Sequence, residues 1–304
     1  MIKGDKIAFG LIAVLILTFV FWKDVKAMFG GKTKVNEVDT KKDKKKGKEG
    51  KKKNVAKIDS EITIAQKWDL PSDLKEISGI AYINDNRFAC VQDELGKIFI
   101  FNIASNHIEK EIPFAEAGDY EGIAIVGSTA YVLRADGKLF EVIGYNHNKP
   151  SVIQHSTHLT AKHDVEGLCY DKKNNRLLLA IKGKEQNSND YKGIYAFDLS
   201  SKKLAATPVH KVDLTHNIWN EVKGNKMQPS DLDVHPTTGD IYIIDGANPK
   251  LLVIRADGTK KLHQLSTSEF PQPEGIAFTQ TGEIFISNEG RTGLGTILKV
   301  SIDR

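Results

Sequence analysis

From residue 62 onward the apolar residues come in short runs rather than on a helical face. Arg87-Phe88-Ala89-Cys90-Val91-Gln92-Asp93 is followed by Gly96 and then Lys97-Ile98-Phe99-Ile100-Phe101. Ala130-Tyr131-Val132-Leu133-Arg134 is followed by Asp136-Gly137 and then Lys138-Leu139-Phe140-Glu141-Val142. The same arrangement returns at Asp240-Ile241-Tyr242-Ile243-Ile244-Asp245 with Lys250-Leu251-Leu252-Val253-Ile254. It returns again at Glu283-Ile284-Phe285-Ile286-Ser287 with Thr296-Ile297-Leu298-Lys299-Val300. β-Branched and aromatic runs bounded by Gly, Asn and Asp predict strands joined by hairpins. No stretch after residue 58 carries a period of 3.6.

A second pattern sits ahead of each strand pair. Glu76-Ile77-Ser78-Gly79-Ile80-Ala81 is echoed by Asp119-Tyr120-Glu121-Gly122-Ile123-Ala124 and by Asp164-Val165-Glu166-Gly167-Leu168-Cys169. Gln228-Pro229-Ser230-Asp231-Leu232-Asp233 and Gln272-Pro273-Glu274-Gly275-Ile276-Ala277 complete the set. The column Gly79, Gly122, Gly167, Asp231, Gly275 advances by 43, 45, 64 and 44 residues. A period near 45 marks a repeat architecture. Each unit adds a more polar fourth strand, as at residues 107–114 and 209–214, and four antiparallel strands make a propeller blade. The Gly-Ile-Ala phrase is expected innermost, where small residues fit a crowded axis.

The last unit ends with three strands. Residues 61–70, with Ile62, Ile64, Trp68 and Leu70 in alternation, supply the missing outer strand and close the ring, which leaves no open edge. The fold class is therefore all-β, a five-bladed β-propeller, and its repeat phrases resemble NHL-type repeats. The long 64-residue step leaves room for a degenerate sixth blade between 183 and 227. Polar stretches at 187–192 and 215–227 favour an insertion instead. Trp68 and Trp219 are expected to pack. Cys90 and Cys169, in strands of non-neighbouring blades, are expected buried and unbridged.

The first residues are different. Residues 7–22 carry no charge and are flanked by Lys6 and Lys23. This predicts a transmembrane anchor over 1–30, slightly short but extended by snorkelling lysines. A cleaved signal peptide would want a small-residue site, which residues 25–29 lack. Residues 31–57 read as a lysine-rich linker too poor in apolar residues to fold. Residues 1–57 hold 16 Lys and Arg against 6 Asp and Glu, a net +10. The whole chain is +4, so the 58–304 propeller is −6. An acidic domain on a basic leash argues against nucleic acid as a partner and is compatible with a cation site. The lysines after the span argue for a cytoplasmic propeller by the positive-inside rule. A short N-terminus ahead of a large C-terminal domain argues for export, and we expect a single-pass protein with its propeller periplasmic or extracellular.

The residue before each column position is Ser78, Glu121, Glu166, Ser230 or Glu274. All five should ring one mouth of the channel. Second strands return to that mouth and end in Asp93, Arg134, Lys182, Asp245 and Asn288-Glu289. Converging carboxylates repel, so their pKa values rise or a cation compensates them. An all-oxygen set suits Ca²⁺. The expected ligands are Glu121, Glu166 and Glu274, completed by Ser230, Asp231 or water. Ser78, Asp93, Arg134, Lys182, Asp245 and Glu289 complete the expected binding mouth. Two other outcomes stay open: Arg134 and Lys182 could neutralise the glutamates, or the carboxylates could accept backbone amides of the next blade. His155, His158 and His163 lack the partners of a zinc site.

These phrases, with Leu70-Pro71 ahead of the first, resemble the SdiA-regulated (YjiK-like) family of bacterial membrane-anchored propeller proteins, from about residue 62 to the end. The resemblance implies a five-bladed propeller with a calcium site behind an N-terminal membrane segment. The expected function is a membrane-tethered, calcium-binding module whose ligand or protein partner docks at the channel mouth. The alternative is a calcium-dependent phosphoesterase or lactonase. In it, Asp93, Asp245 or Glu289 would be the general base and Arg134 or Lys182 the anion clamp.

Overall fold

A computed structural model describes residues 62–302 apart from 85 and 223–225. The expected anchor and linker, and the first four residues of the expected 58–304 domain, lie outside the described residues. Among the described residues no helix is long and apolar enough to cross a membrane. Residues 56–304 form a compact unit by themselves.

Strand β1 (Ile62–Asp69) precedes four sheets in chain order. The first blade holds β2 (Ile77–Asn84), β3 (Arg87–Gln92), β4 (Lys97–Asn102) and β5 (His107–Pro113). The second holds β6 (Tyr120–Val126), β7 (Thr129–Arg134), β8 (Leu139–Ile143) and β9 (Ser151–His155). The third holds β10 (Val165–Asp171), β11 (Arg176–Ile181) and β12 (Tyr191–Asp198). Two short pieces, β13 (Lys203–Leu204) and β14 (His210–Asp213), share its outer edge. The fourth holds β15 (Pro229–Val234), β16 (Ile241–Asp245), β17 (Lys250–Ile254) and β18 (Lys260–Gln264). The fifth has β19 (Pro273–Phe278), β20 (Ile284–Asn288) and β21 (Thr296–Ile302), and β1 pairs antiparallel with β21 to complete it. The ring is closed as the alternation at residues 61–70 predicts.

The 64-residue step is an insertion in blade 3, not a sixth blade. Part of it is the split outer edge. Part is a 3-10 turn (Asn217–Glu221) whose Trp219 is buried and donates from Nε1 to the Asp213 carbonyl at 2.7 Å. Lys192, expected in a polar loop, lies inside β12.

Each blade buries both faces, which is why the middle strands read as unbroken apolar runs. Alternation sends odd and even residues to different neighbours. Phe88 and Cys90 of β3 join Phe285 and Ile297 of blade 5, whereas Ala89 and Val91 join Ile123 and Val132 of blade 2. In β11, Leu177, Leu179 and Ile181 pack toward blade 2, and Leu178 and Ala180 toward blade 4. Five such interfaces hold the ring. At roughly 25 cal/mol per Å² of apolar surface they dominate its stability. Cys90 and Cys169 are buried and free, as expected.

The column that follows the ring positions shows why glycine recurs there. A Cβ on Gly79 would stand 2.8 Å from the Glu121 carbonyl oxygen of blade 2, and one on Gly122 would stand 2.9 Å from the Glu166 carbonyl oxygen of blade 3. Innermost strands approach too closely there for any side chain to fit between them.

Candidate functional site

The register of all five innermost hairpins slips at the same place. Ile77 faces Gln92 but Gly79 faces Val91, leaving Ser78 as the extra residue. The corresponding slips lie between Tyr120 and Gly122, Val165 and Gly167, Pro229 and Asp231, and Pro273 and Gly275. The extra residues are therefore Ser78, Glu121, Glu166, Ser230 and Glu274, the five ring positions. A β-bulge re-aims a side chain that plain alternation would send into a neighbour. Five-fold repetition makes the ring a built feature.

The serines and the glutamates behave differently. Ser78 Oγ donates to the Tyr120 carbonyl of blade 2 at 2.6 Å, and Ser230 Oγ to the Pro273 carbonyl of blade 5 at 2.8 Å. They staple one inner strand to the next. Glu121 instead has the carboxyl group of Asp119 as a neighbour. Burial, then Glu166 and Asp119, push the Glu121 pKa up to about 10. Burial pushes Glu166 up to about 8, opposed by Lys182 and reinforced by Glu274 and Asp164. Burial also raises Glu274, against the pull of Lys182 and Gln272. Gly246 leaves room for it: a Cβ there would stand 2.7 Å from Glu274 Oε1.

Of the two basic competitors, one engages the ring. Lys182 Nζ lies 2.6 Å from Glu166 Oε1. Burial works against its charge, but Glu166 and Glu274 outweigh it and raise its pKa. Arg134 turns away. It holds Asp136 across its own hairpin at 2.8 and 3.0 Å. Asp245 is likewise committed elsewhere. Lys250 Nζ lies 2.8 Å from its Oδ2 in a fully buried pair, and it also accepts the amides of Gln228 and Asn248 at 2.9 Å. Asp245 is a loop knot rather than an open mouth residue. Its Asp-x-x-x-x-Lys hairpin spacing was the available signal.

Asp231 departs most from its expected role. Its carboxylate accepts the Leu168 amide of blade 3 at 3.1 Å and the Ile276 amide of blade 5 at 2.8 Å. Those blades flank blade 4, so the carboxylate ties three inner strands together, with each oxygen accepting one amide.

Around the ring, Asp93 is pushed up to about 6 by burial and by Glu76, Glu94, Glu289 and Asp119. Asp93 Oδ1 and Asn288 Oδ1 are buried with no hydrogen-bond partner among the described residues. Glu289 accepts from Gln272 Nε2. As they stand, no three His, Cys, Asp or Glu side chains among the described residues are grouped closely enough to hold a metal ion. The three histidines are not a zinc set: His155 Nε2 lies 2.7 Å from Glu141 Oε2, and His163 accepts the Thr160 amide.

The profile of the SdiA-regulated family matches residues 61–292. The chain belongs to the SdiA-regulated family. No curated protein sequence matches it. Among solved structures, Myxococcus xanthus glutaminyl cyclase aligns over 80% of this chain and 96% of its own, at 18% identity and a TM-score of 0.55. PQQ-bound aldose sugar dehydrogenase from Streptomyces coelicolor covers 80% and 98% at 10% identity and 0.49. Virginiamycin B lyase from Staphylococcus aureus covers 80% and 100% at 12% identity and 0.46. The likeness to the cyclase is one of fold, and this family member's chemistry must be argued from its own mouth.

Proposed function

We propose that the carboxylate mouth binds a divalent cation, calcium by its donor set, and that the propeller serves as a membrane-tethered module whose ligand or partner docks on that face. The observation that carries this reading is the meeting of Glu121, Glu166 and Glu274 with a single lysine to neutralise them. Burial raises the pKa of all three, and neighbouring carboxylates raise them further. The unpartnered oxygens of Asp93 and Asn288 add acceptors that also lack a donor. Three carboxylates with oxygen-only neighbours fit a hard cation, and Glu121, Glu166 and Glu274 would hold it. A bound calcium would supply the positive charge that keeps them ionised. Ser78, Ser230 and Asp231 support the ring from below.

Calorimetric titration of the 56–304 unit with calcium tests this. One ion per chain is expected, with Glu166→Gln and Glu274→Gln each weakening it at least tenfold. A titration without heat, and melting indifferent to chelator, would remove the reading. The hydrolase alternative keeps Asp93 as base and Lys182 as clamp, because Asp93 alone among its proposed bases has a carboxyl oxygen buried without a partner. It loses Asp245 and Arg134, both engaged elsewhere. Turnover on a panel of phosphate esters and lactones, abolished by Asp93→Asn, is what would favour it.

A further inference from the structure

Below Asp231 the channel opens into a cavity of about 970 Å³ on the face opposite the carboxylate ring. Leu168 and Ile276, whose amides Asp231 holds, line it, and Asp231 does not. All five blades contribute to its wall. Three of the inner strands, β2, β6 and β15, become less buried toward this end. Ile83, Ile125, Val126 and Val234 are only half-buried there: each packs partly on a core between blades and leaves its remaining surface on the cavity wall. A pocket of about 300–1,000 Å³ with apolar walls and a few polar groups at one side is the usual form of a small-molecule site.

The polar side is asymmetric. Lys172 and Lys173 stand exposed on the 3-10 turn between β10 and β11, at the rim, and enter no ion pair among the described residues. The acidic groups on the wall are both engaged. Asp171 holds Arg176 at 2.8 Å and Asn174 at 2.7 Å, and Asp233 accepts the amides of Phe278 and Val234, each at 2.8 Å. The free charge at this end is therefore positive, beside uncovered apolar surface.

We propose that this cavity takes a monomeric, single-chain anionic amphiphile, its apolar chain against Ile83, Ile125, Val126 and Val234 and its acidic head at Lys172 and Lys173. An apolar chain gains from covering those walls at roughly 25 cal/mol per Å². The head gains from two lysines that lack a counter-charge.

The test is calorimetric titration of the 56–304 unit with sodium dodecanoate below its micelle concentration. EDTA is included so that no calcium soap forms. One molecule per chain is expected. The double variant Lys172→Glu, Lys173→Glu, on an exposed turn, should weaken binding at least tenfold, about 1.4 kcal/mol. Dodecanol, which has no charge, should bind wild type and double variant alike. Val126→Asp should abolish binding of both, with far-UV circular dichroism confirming the fold. Failure of dodecanoate to bind, or binding untouched by either change, overturns the proposal. So does flotation of the protein with phosphatidylglycerol vesicles in the absence of monomer binding, which would make the lysines a membrane-surface patch. None of these outcomes depends on calcium at the other mouth.

Discussion

At one end of the channel the inner strands present Ser78, Glu121, Glu166, Ser230 and Glu274. At the other end the same strands present half-buried Ile83, Ile125, Val126 and Val234, with Lys172 and Lys173 on an adjoining turn. The first end gathers negative charge against one engaged lysine. The second leaves two lysines unpaired beside apolar surface. The difference arises within each strand. The bulge at the ring position aims one side chain per blade at the mouth, whereas beyond it the regular register resumes and branched residues shape a wall. Asp231 marks the boundary by tying the inner strands of blades 3, 4 and 5 between the two ends. One set of strands thus presents two chemically different ends.

Removing the boundary should have the largest effect. Asp231→Ala leaves the Leu168 and Ile276 amides buried without an acceptor, at about 1–3 kcal/mol each. Denaturant unfolding should show a loss of about 2–5 kcal/mol, with Asp231→Asn recovering about half. A neutral Asp231→Ala would mean that the three inner strands are not held by this carboxylate.

The next effect separates the acidic mouth from the rest by pH. Glu121 and Glu166 hold their protons more tightly folded than unfolded, with pKa values near 10 and 8 against a usual 4.5. Their contribution is therefore intact near pH 4.5 and is lost as pH rises toward 8–10. In chelator the melting temperature should fall by at least roughly 5 °C between pH 6 and pH 9, since each pH unit between the unfolded and folded pKa removes about 1.4 kcal/mol per group. Calcium should flatten the slope and release protons on binding at pH 7. Glu121→Gln should flatten it without calcium. A melting temperature that climbs over this range would contradict the assignment.

A smaller effect comes from Lys182, which competes with any cation for Glu166. Lys182→Met should tighten calcium up to about tenfold, near 1.4 kcal/mol. Weaker binding in that variant would make Lys182 an organiser of the site. The smallest effect sorts the serines. Ser78→Ala and Ser230→Ala should each cost about 1 kcal/mol of stability and leave calcium affinity unchanged. A loss of calcium in Ser230→Ala would restore it as a ligand.

The repeat phrase, the closing strand at 61–70 and the five ring positions are legible in the chain because each rests on local pattern. The bulges were not, although the Glu-Gly pairing sits at each one, since a register slip shows only once partner strands are aligned. Arg134 and Lys182 occupy equivalent strand ends and look interchangeable in the sequence. Arg134 has Asp136 two residues on and takes it, a contact that costs little chain entropy. Lys182 has no such neighbour and reaches the ring. Asp231 stood out as the one non-glycine in its column. That departure signalled a special role, but not whether the carboxylate faced the mouth or the axis.

The sequence by itself determined the number of blades, the ring and the chemistry at each strand end. A period of two within strands and of about 45 between them leaves little freedom over where a side chain points. Only the tertiary structure decided which charges meet, which inner strands Asp231 ties together and that a cavity lies at the other end. Those depend on distances between blades that are far apart in the chain. There, a shift of a few ångströms separates a neutralised carboxylate from an open one.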